Sequence, residues 1–118
     1  MISNSESILN QLLSEDLSGV VFVRDYIQLQ FNPNPTINVY AECWVKTDSE
    51  EAKFGDLNFA NLIIAQIGKD VAAVEENEEF IIIKFKDASR IEIILKSEWV
   101  GEAAVMFGRN EEWQSWPH

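Results

Sequence analysis

The sequence predicts an α+β domain, with two helices packed on an antiparallel, meander-like sheet of six to eight strands. Three observations carry this expectation. Apolar residues recur at helical spacing in two stretches, one near the N-terminus and one around residues 57–67. Elsewhere they alternate with polar residues at a period of two. The alternating stretches follow one another across short turns, whereas a parallel return needs a crossover of about a dozen residues.

The elements follow in order. Ser3-Asn4-Ser5-Glu6 reads as a capping box. Ile8, Leu9, Leu12, Leu13 and Leu17 then share one helical face, and Ser18-Gly19 supplies a stop, so a first helix is expected over residues 4–17. VVFVR (20–24) is a β-rich run, and YIQLQF (26–31) alternates with Ile27, Leu29 and Phe31 on one side. Asn32-Pro33-Asn34-Pro35 is a turn, because its two prolines cannot serve a central ladder. TINVYAECWVK (36–46) predicts one further strand. Ile37, Val39, Ala41, Cys43 and Val45 line one face of it, and Asn38, Tyr40, Glu42 and Trp44 the other.

After a polar, acidic loop, Asp56 is positioned to cap a second helix bearing Leu57, Ala60, Ile64 and Ile67, which Gly68 ends. DVAAVEE, EFIIIKFK and RIEIILK are then three strands in quick succession. The middle one carries apolar residues on both faces, the mark of a strand covered twice. A last strand is expected over 103–107, before a tail carrying Trp113 and Trp116. Three residues apart, these tryptophans face opposite sides of a strand or the same side of a helical turn. Burying one contributes on the order of 1.5–3 kcal/mol, so the tail is expected to close the core. No linker, internal repeat or low-complexity tract interrupts the chain, which reads as one domain over residues 1–118.

Composition narrows the function classes. With 20 acidic and nine basic side chains the net charge is −11, which disfavours nucleic acid and anionic membrane surfaces. The same charge favours a basic protein partner. No apolar run approaches the roughly 18 residues of a membrane span, and the acidic N-terminal stretch argues against a signal peptide. The single cysteine, Cys43, fits a reducing cytoplasm and reads as a small buried hydrophobe.

Catalytic and cofactor signatures are sparse. The one histidine is His118, beside Pro117, with no partner to orient it. Soft-metal sites need more Cys and His than the chain has. Glu75-Glu76-Asn77-Glu78-Glu79 lacks the ligand spacing and central glycine of a calcium loop. No glycine-rich phosphate loop is present. The expectation is a non-enzyme with no cofactor and no metal. Tyr40 and Trp44 stand out as aromatic candidates on one strand face, because such side chains bury large area at low entropy cost.

DYIQLQF (25–31), LIIAQIGKDVAAVE (62–75), IIIKFKDASRIEI (81–93), GEAAVMF (101–107) and the closing W-x-x-W together resemble a family of small, single-domain bacterial proteins of unknown function. The chain departs from that pattern at Glu42–Val45, where the family often carries Trp-Pro. The resemblance implies no activity, cofactor or catalytic residue. In size and charge it is similar to the compact acidic immunity proteins that neutralise bacterial toxins.

The function expected is therefore that of a non-enzymatic, immunity-like binding protein. Its acidic loops (48–56, 75–79 with Glu75, Glu76, Glu78 and Glu79, and 110–112) would meet a basic protein. The alternative is a small-molecule pocket on the Tyr40/Trp44 face, with Arg24 or Arg90 fixing an anionic group. A homodimer is the third reading.

Overall fold

A computed structural model of the chain describes residues 7–32, 34–96 and 101–117. It corrects the expected class: the fold is mostly β, two antiparallel five-stranded sheets with a single short α-helix among the described residues. The strands are β1 (Asp16–Val23), β2 (Tyr26–Asn32), β3 (Thr36–Val39), β4 (Cys43–Lys46), β5 (Glu51–Lys53), β6 (Val71–Glu76), β7 (Phe80–Phe85), β8 (Arg90–Ile94), β9 (Glu102–Phe107) and β10 (Trp113–Pro117). Sheet A has the order β1-β2-β3-β9-β10, and sheet B the order β5-β4-β8-β7-β6.

The expected first helix is a 3-10 turn, Ile8–Leu12, capped by the Ser7 hydroxyl, which accepts from Leu9 N–H. The Ser3–Glu6 capping box lies outside the described residues. Leu9 and Leu12 are buried as the spacing implies, but Leu13 is exposed and Leu17 already belongs to β1. Gly19 sits inside β1 as well, where the ladder to β2 holds the chain extended, so it does not stop a helix. The second helix, α1, is only Phe59–Ile64, with Asn58 at its N-cap, while Asp56 accepts from Lys53 N–H instead. Its buried face is Phe59, Leu62 and Ile63; Leu57 is fully exposed and Ile64 and Ile67 largely so. Gly68, at φ +94°, ends this segment in the left-handed conformation that glycine adopts without strain.

The stretch 36–46 is also two strands rather than one. β3 lies in sheet A and β4 in sheet B, with Tyr40–Glu42 as the corner between them. Ile37, Val39, Ala41, Cys43 and Val45 are all buried, because the alternation runs unbroken through the corner. β7 is not covered on both sides. Ile81, Ile83 and Phe85 face the core, whereas Phe80 and Ile82 lie half-buried on the outer surface of sheet B.

The sheet orders reveal an internal repeat that the sequence reading did not find. The orders β1-β2-β3-β9-β10 and β6-β7-β8-β4-β5 are the same pattern, a three-stranded meander completed by the hairpin that follows the other meander. The repeat is gapless over the meanders, each counterpart lying 54 positions further along. The bulge between Leu17 and Gly19 on β1 matches that between Val71 and Ala73 on β6. Phe31 N–H donates to Pro35 at 2.9 Å, and Phe85 N–H to Ser89 at 2.9 Å. Buried Leu9 and Leu12 correspond to buried Ile63 and Gln66.

The two halves meet at their own counterparts. Asp16 bridges Asp70, with Leu17 N–H donating to Lys69 and Val71 N–H to Glu15. At its other end β6 reaches β10, where the Trp116 indole N–H donates to Glu76 at 2.8 Å. From Asp70 to Glu76 the strand spans about 20 Å, and the four strand spacings across sheet A come to about 19 Å. β6 therefore crosses sheet A from edge to edge, and the sheets pack near-orthogonally, with the bulges turning the corner. The core fills the space between the inner faces, sealed at its ends by the 3-10 turn and α1.

Candidate functional site

The duplication presents the same sheet face twice, and the two outer faces differ in charge. On sheet B, Glu75, Lys84, Arg90, Glu92, Lys46, Glu51 and Lys53 alternate outward with Phe80, Ile82, Ile94 and Trp44. Lys84 pairs with Glu75 at 2.8 Å, and Glu92 holds Lys46 at 3.0 Å and Arg90 at 2.5 Å. Burial alone would raise the Glu92 carboxyl, but hydrogen bonds from Arg90 and Lys46 outweigh it and hold it below its ordinary range. Trp44 lies under Lys46 and Lys53, whose ammonium nitrogens are 5.5 and 5.9 Å from its ring centre, and its indole donates to Glu42. This is a solvated, self-neutralised surface.

On sheet A every one of those charges is replaced. Counting across the repeat, Gln30 stands where sheet B has Lys84, Thr36 where it has Arg90, and Asn38 where it has Glu92. On the hairpins, Phe107, Trp113 and Ser115 take the places of Lys46, Glu51 and Lys53. Val21 replaces Glu75. The outer face of β1, β2, β3, β9 and β10 thus carries no charged side chain between its ends.

An amide chain crosses it: Gln30 Nε2 donates to Gln28 at 3.0 Å, Gln28 Nε2 to Asn38 at 2.9 Å, and Asn38 Nδ2 to the Tyr40 hydroxyl at 3.3 Å. Tyr26 and Tyr40 pack with ring centres 4.9 Å apart and their planes tilted by 45°. Tyr40, Glu102, Val105, Phe107 and Trp113 line an open groove of about 380 Å³. Trp113 is 66% exposed, while Trp116 on the opposite side of β10 is 6% exposed. The tail is a strand, and only one of its tryptophans closes the core. Carboxylates frame the face, with exposed Asp25 and Glu102 at one end and Glu111 and Glu112 at the other.

Other residues singled out from sequence fall elsewhere. Tyr40 and Trp44, expected on one face, are on the outer surfaces of different sheets, so no pocket unites them. Arg90 is engaged by Glu92, and Arg24 sits exposed in the β1–β2 turn beside Asp25. Glu75 and Glu76 are held by Lys84 and Trp116, whereas Glu78 and Glu79 are exposed in the β6–β7 turn. The acidic loops 48–50 and 77–79 lie at opposite ends of sheet B, and 110–112 on the β9–β10 turn of sheet A, so they do not form one patch.

Cys43 is fully buried, and burial pushes its thiol pKa up to about 12. Among the described residues no group of three or more His, Cys, Asp or Glu is disposed to hold a metal ion. His118 lies outside them. Sequence reasoning missed Phe107, Val105, Trp113 and the amide chain as one surface. Their signal was available in the contrast between YIQLQF and FIIIKF, whose core residues are aliphatic or Phe in both while the surface residues differ. No helix among the described residues is long and apolar enough to cross a membrane. Comparison with protein-family models, with curated proteins and with solved structures returns no match.

Proposed function

We propose that this chain is a non-catalytic, immunity-like binding protein that docks a basic protein partner through the outer face of sheet A. The observation that carries the reading is the contrast between the two halves. The fold tolerates seven charged residues on sheet B, so their removal from the equivalent positions of sheet A is not a folding requirement. In a chain of net charge −11, a charge-free aromatic face is a surface from which desolvation cost has been removed.

Its plane measures on the order of 400 Å² in projection, and side-chain relief brings its accessible area toward the ~800 Å² per partner of a standard interface. Phe107 and Trp113 are the anchors, and Asp25, Glu102, Glu111 and Glu112 steer a cationic rim into register. The reading places the chain in the cytoplasm, where its lone thiol stays reduced.

The experiment is capture from the source cell's lysate by immobilised protein, beside a Phe107→Lys/Trp113→Glu variant that takes the residue types of sheet B. One protein retained by the parent, eluted by salt and absent from the variant is the expected result. Equal retention by both, or none by either at low salt, overturns the assignment.

A further inference from the structure

A sheet edge is a row of unpaired backbone donors and acceptors, and folded proteins blunt such edges with charge, proline, bulges, shortness or cover. This fold has four. β5 is three residues long and carries Glu51 and Lys53. β6 bears Glu75 and Glu76, with the Trp116 indole on Glu76 and the N-terminal 3-10 turn against it. β10 ends in Pro117 at a register irregularity. β1 has its bulge at Leu17/Gly19 and α1 against its inner side, where Phe22 meets the Phe59 ring edge-on at 6.5 Å, but neither charge nor proline past Leu17. From Gly19 to Val23 it is uncharged, with Val21 41%, Phe22 44% and Val23 38% exposed. Past Leu17, its only backbone partner among the described residues is β2.

We propose that a second copy of this chain pairs along β1, antiparallel about a two-fold axis. Three features select that occupant. The edge offers no charge to a basic or acidic partner, whereas its own Val20-Val21-Phe22-Val23 supplies β-favouring side chains to both faces of the new ladder. Among the described residues each chain has one edge with neither charge nor proline, so pairing closes at two and does not propagate. The exposed side chains of β1 amount to about 300 Å² per copy, short of the ~600 Å² per partner at which stable complexes begin, so the dimer forms reversibly and with concentration. Pairing fuses the two A sheets into ten strands and leaves their charge-free faces side by side. It is independent of what those faces bind.

The other half of the fold supplies the test variant. Val21→Glu/Val23→Asn installs the residues found at the matching positions of the other half, Glu75 in β6 and Asn77 just past its end, which the fold accommodates there. Sedimentation equilibrium from micromolar to near-millimolar protein is expected to show the parent rising toward twice the chain mass, more readily in salt because each copy is strongly acidic. The variant is expected to stay at single mass with an unchanged circular-dichroism spectrum. Should it misfold, Val21→Lys alone serves in its place. A parent that stays at single mass throughout, or a variant that dimerises as the parent does, overturns the proposal. Dimerisation lost in Phe107→Lys/Trp113→Glu but kept in Val21→Glu/Val23→Asn would move the contact to the outer face and overturn it equally.

Discussion

Trp116→Ala is the perturbation that most directly separates the two tail tryptophans. Trp116 is the inward residue of β10, 6% exposed, and its indole N–H reaches Glu76 on the crossing strand β6. Truncating a buried Trp to Ala costs about 3–5 kcal/mol through lost burial and the cavity left behind. The orphaned Glu76 oxygen adds little, because that end of β6 meets water. For a chain of this length each kcal/mol moves Tm by about 4 °C, so a fall of roughly 12–20 °C is expected. Trp113→Ala, on the exposed side of the same strand, should stay within about 0.5 kcal/mol, or roughly 2 °C. Trp116→Phe, which keeps ring burial and loses the hydrogen bond, should fall between them at about 1 kcal/mol from that bond. Scanning calorimetry of the three variants reads all of this. Comparable losses at Trp113 and Trp116, or a fall below about 3 °C for Trp116→Ala, would refute β10 as a core-closing strand that crosses β6.

Cys43 should react with a thiol reagent only slowly in native protein up to pH 9 and at once in denaturant, since burial holds its pKa near 12; rapid native labelling would place it at the surface. Asp87, held at about 2 by hydrogen bonds from Lys69 and then Ser89, contributes stability that is present above its unfolded pKa of about 3.9 and is lost as pH falls through 2. Asp87→Asn should therefore flatten the stability profile between about pH 4 and 2, with only a small effect at pH 7 because the pair is half exposed. Ala88 occupies the left-handed region at φ 74° in the β7–β8 turn, so Ala88→Gly should raise Tm by a few degrees, relief of about 1–2 kcal/mol exceeding the added chain entropy.

Much of this architecture is legible from period-two alternation. Ile27, Leu29 and Phe31 share one side as read and face inward, and the stop at Gly68 stands where its chemistry puts it, whereas β7, expected to be covered on both faces, buries only Ile81, Ile83 and Phe85. What misled is equally physical. In 36–46 the alternation of Ile37, Val39, Ala41, Cys43 and Val45 continues through a corner, because both strands bury the same parity of residue, so nothing in the pattern marks the change of sheet. Near the N-terminus, Leu9, Leu12 and Leu17 match a helical face, yet the first two plug the end of the sandwich and the third begins a strand. The repeat escaped because its halves agree mainly at buried apolar positions. Phe31 and Phe85 or Leu9 and Ile63 align readily, while Gln30 and Lys84, Thr36 and Arg90, and Asn38 and Glu92 do not. That disagreement is also why the candidate face was invisible: its meaning lies in comparison with its counterpart.

The central claim is that sheet A lacks charge for the sake of a partner and not for the sake of folding. Urea unfolding of the Gln30→Lys/Thr36→Arg/Asn38→Glu chain, which copies sheet B onto sheet A at three matched positions, tests it most directly. An unfolding free energy within about 1 kcal/mol of the parent's, with the slope unchanged, is the expected result. A loss of several kcal/mol would mean that the fold itself demands the uncharged face, and the docking surface would have no support.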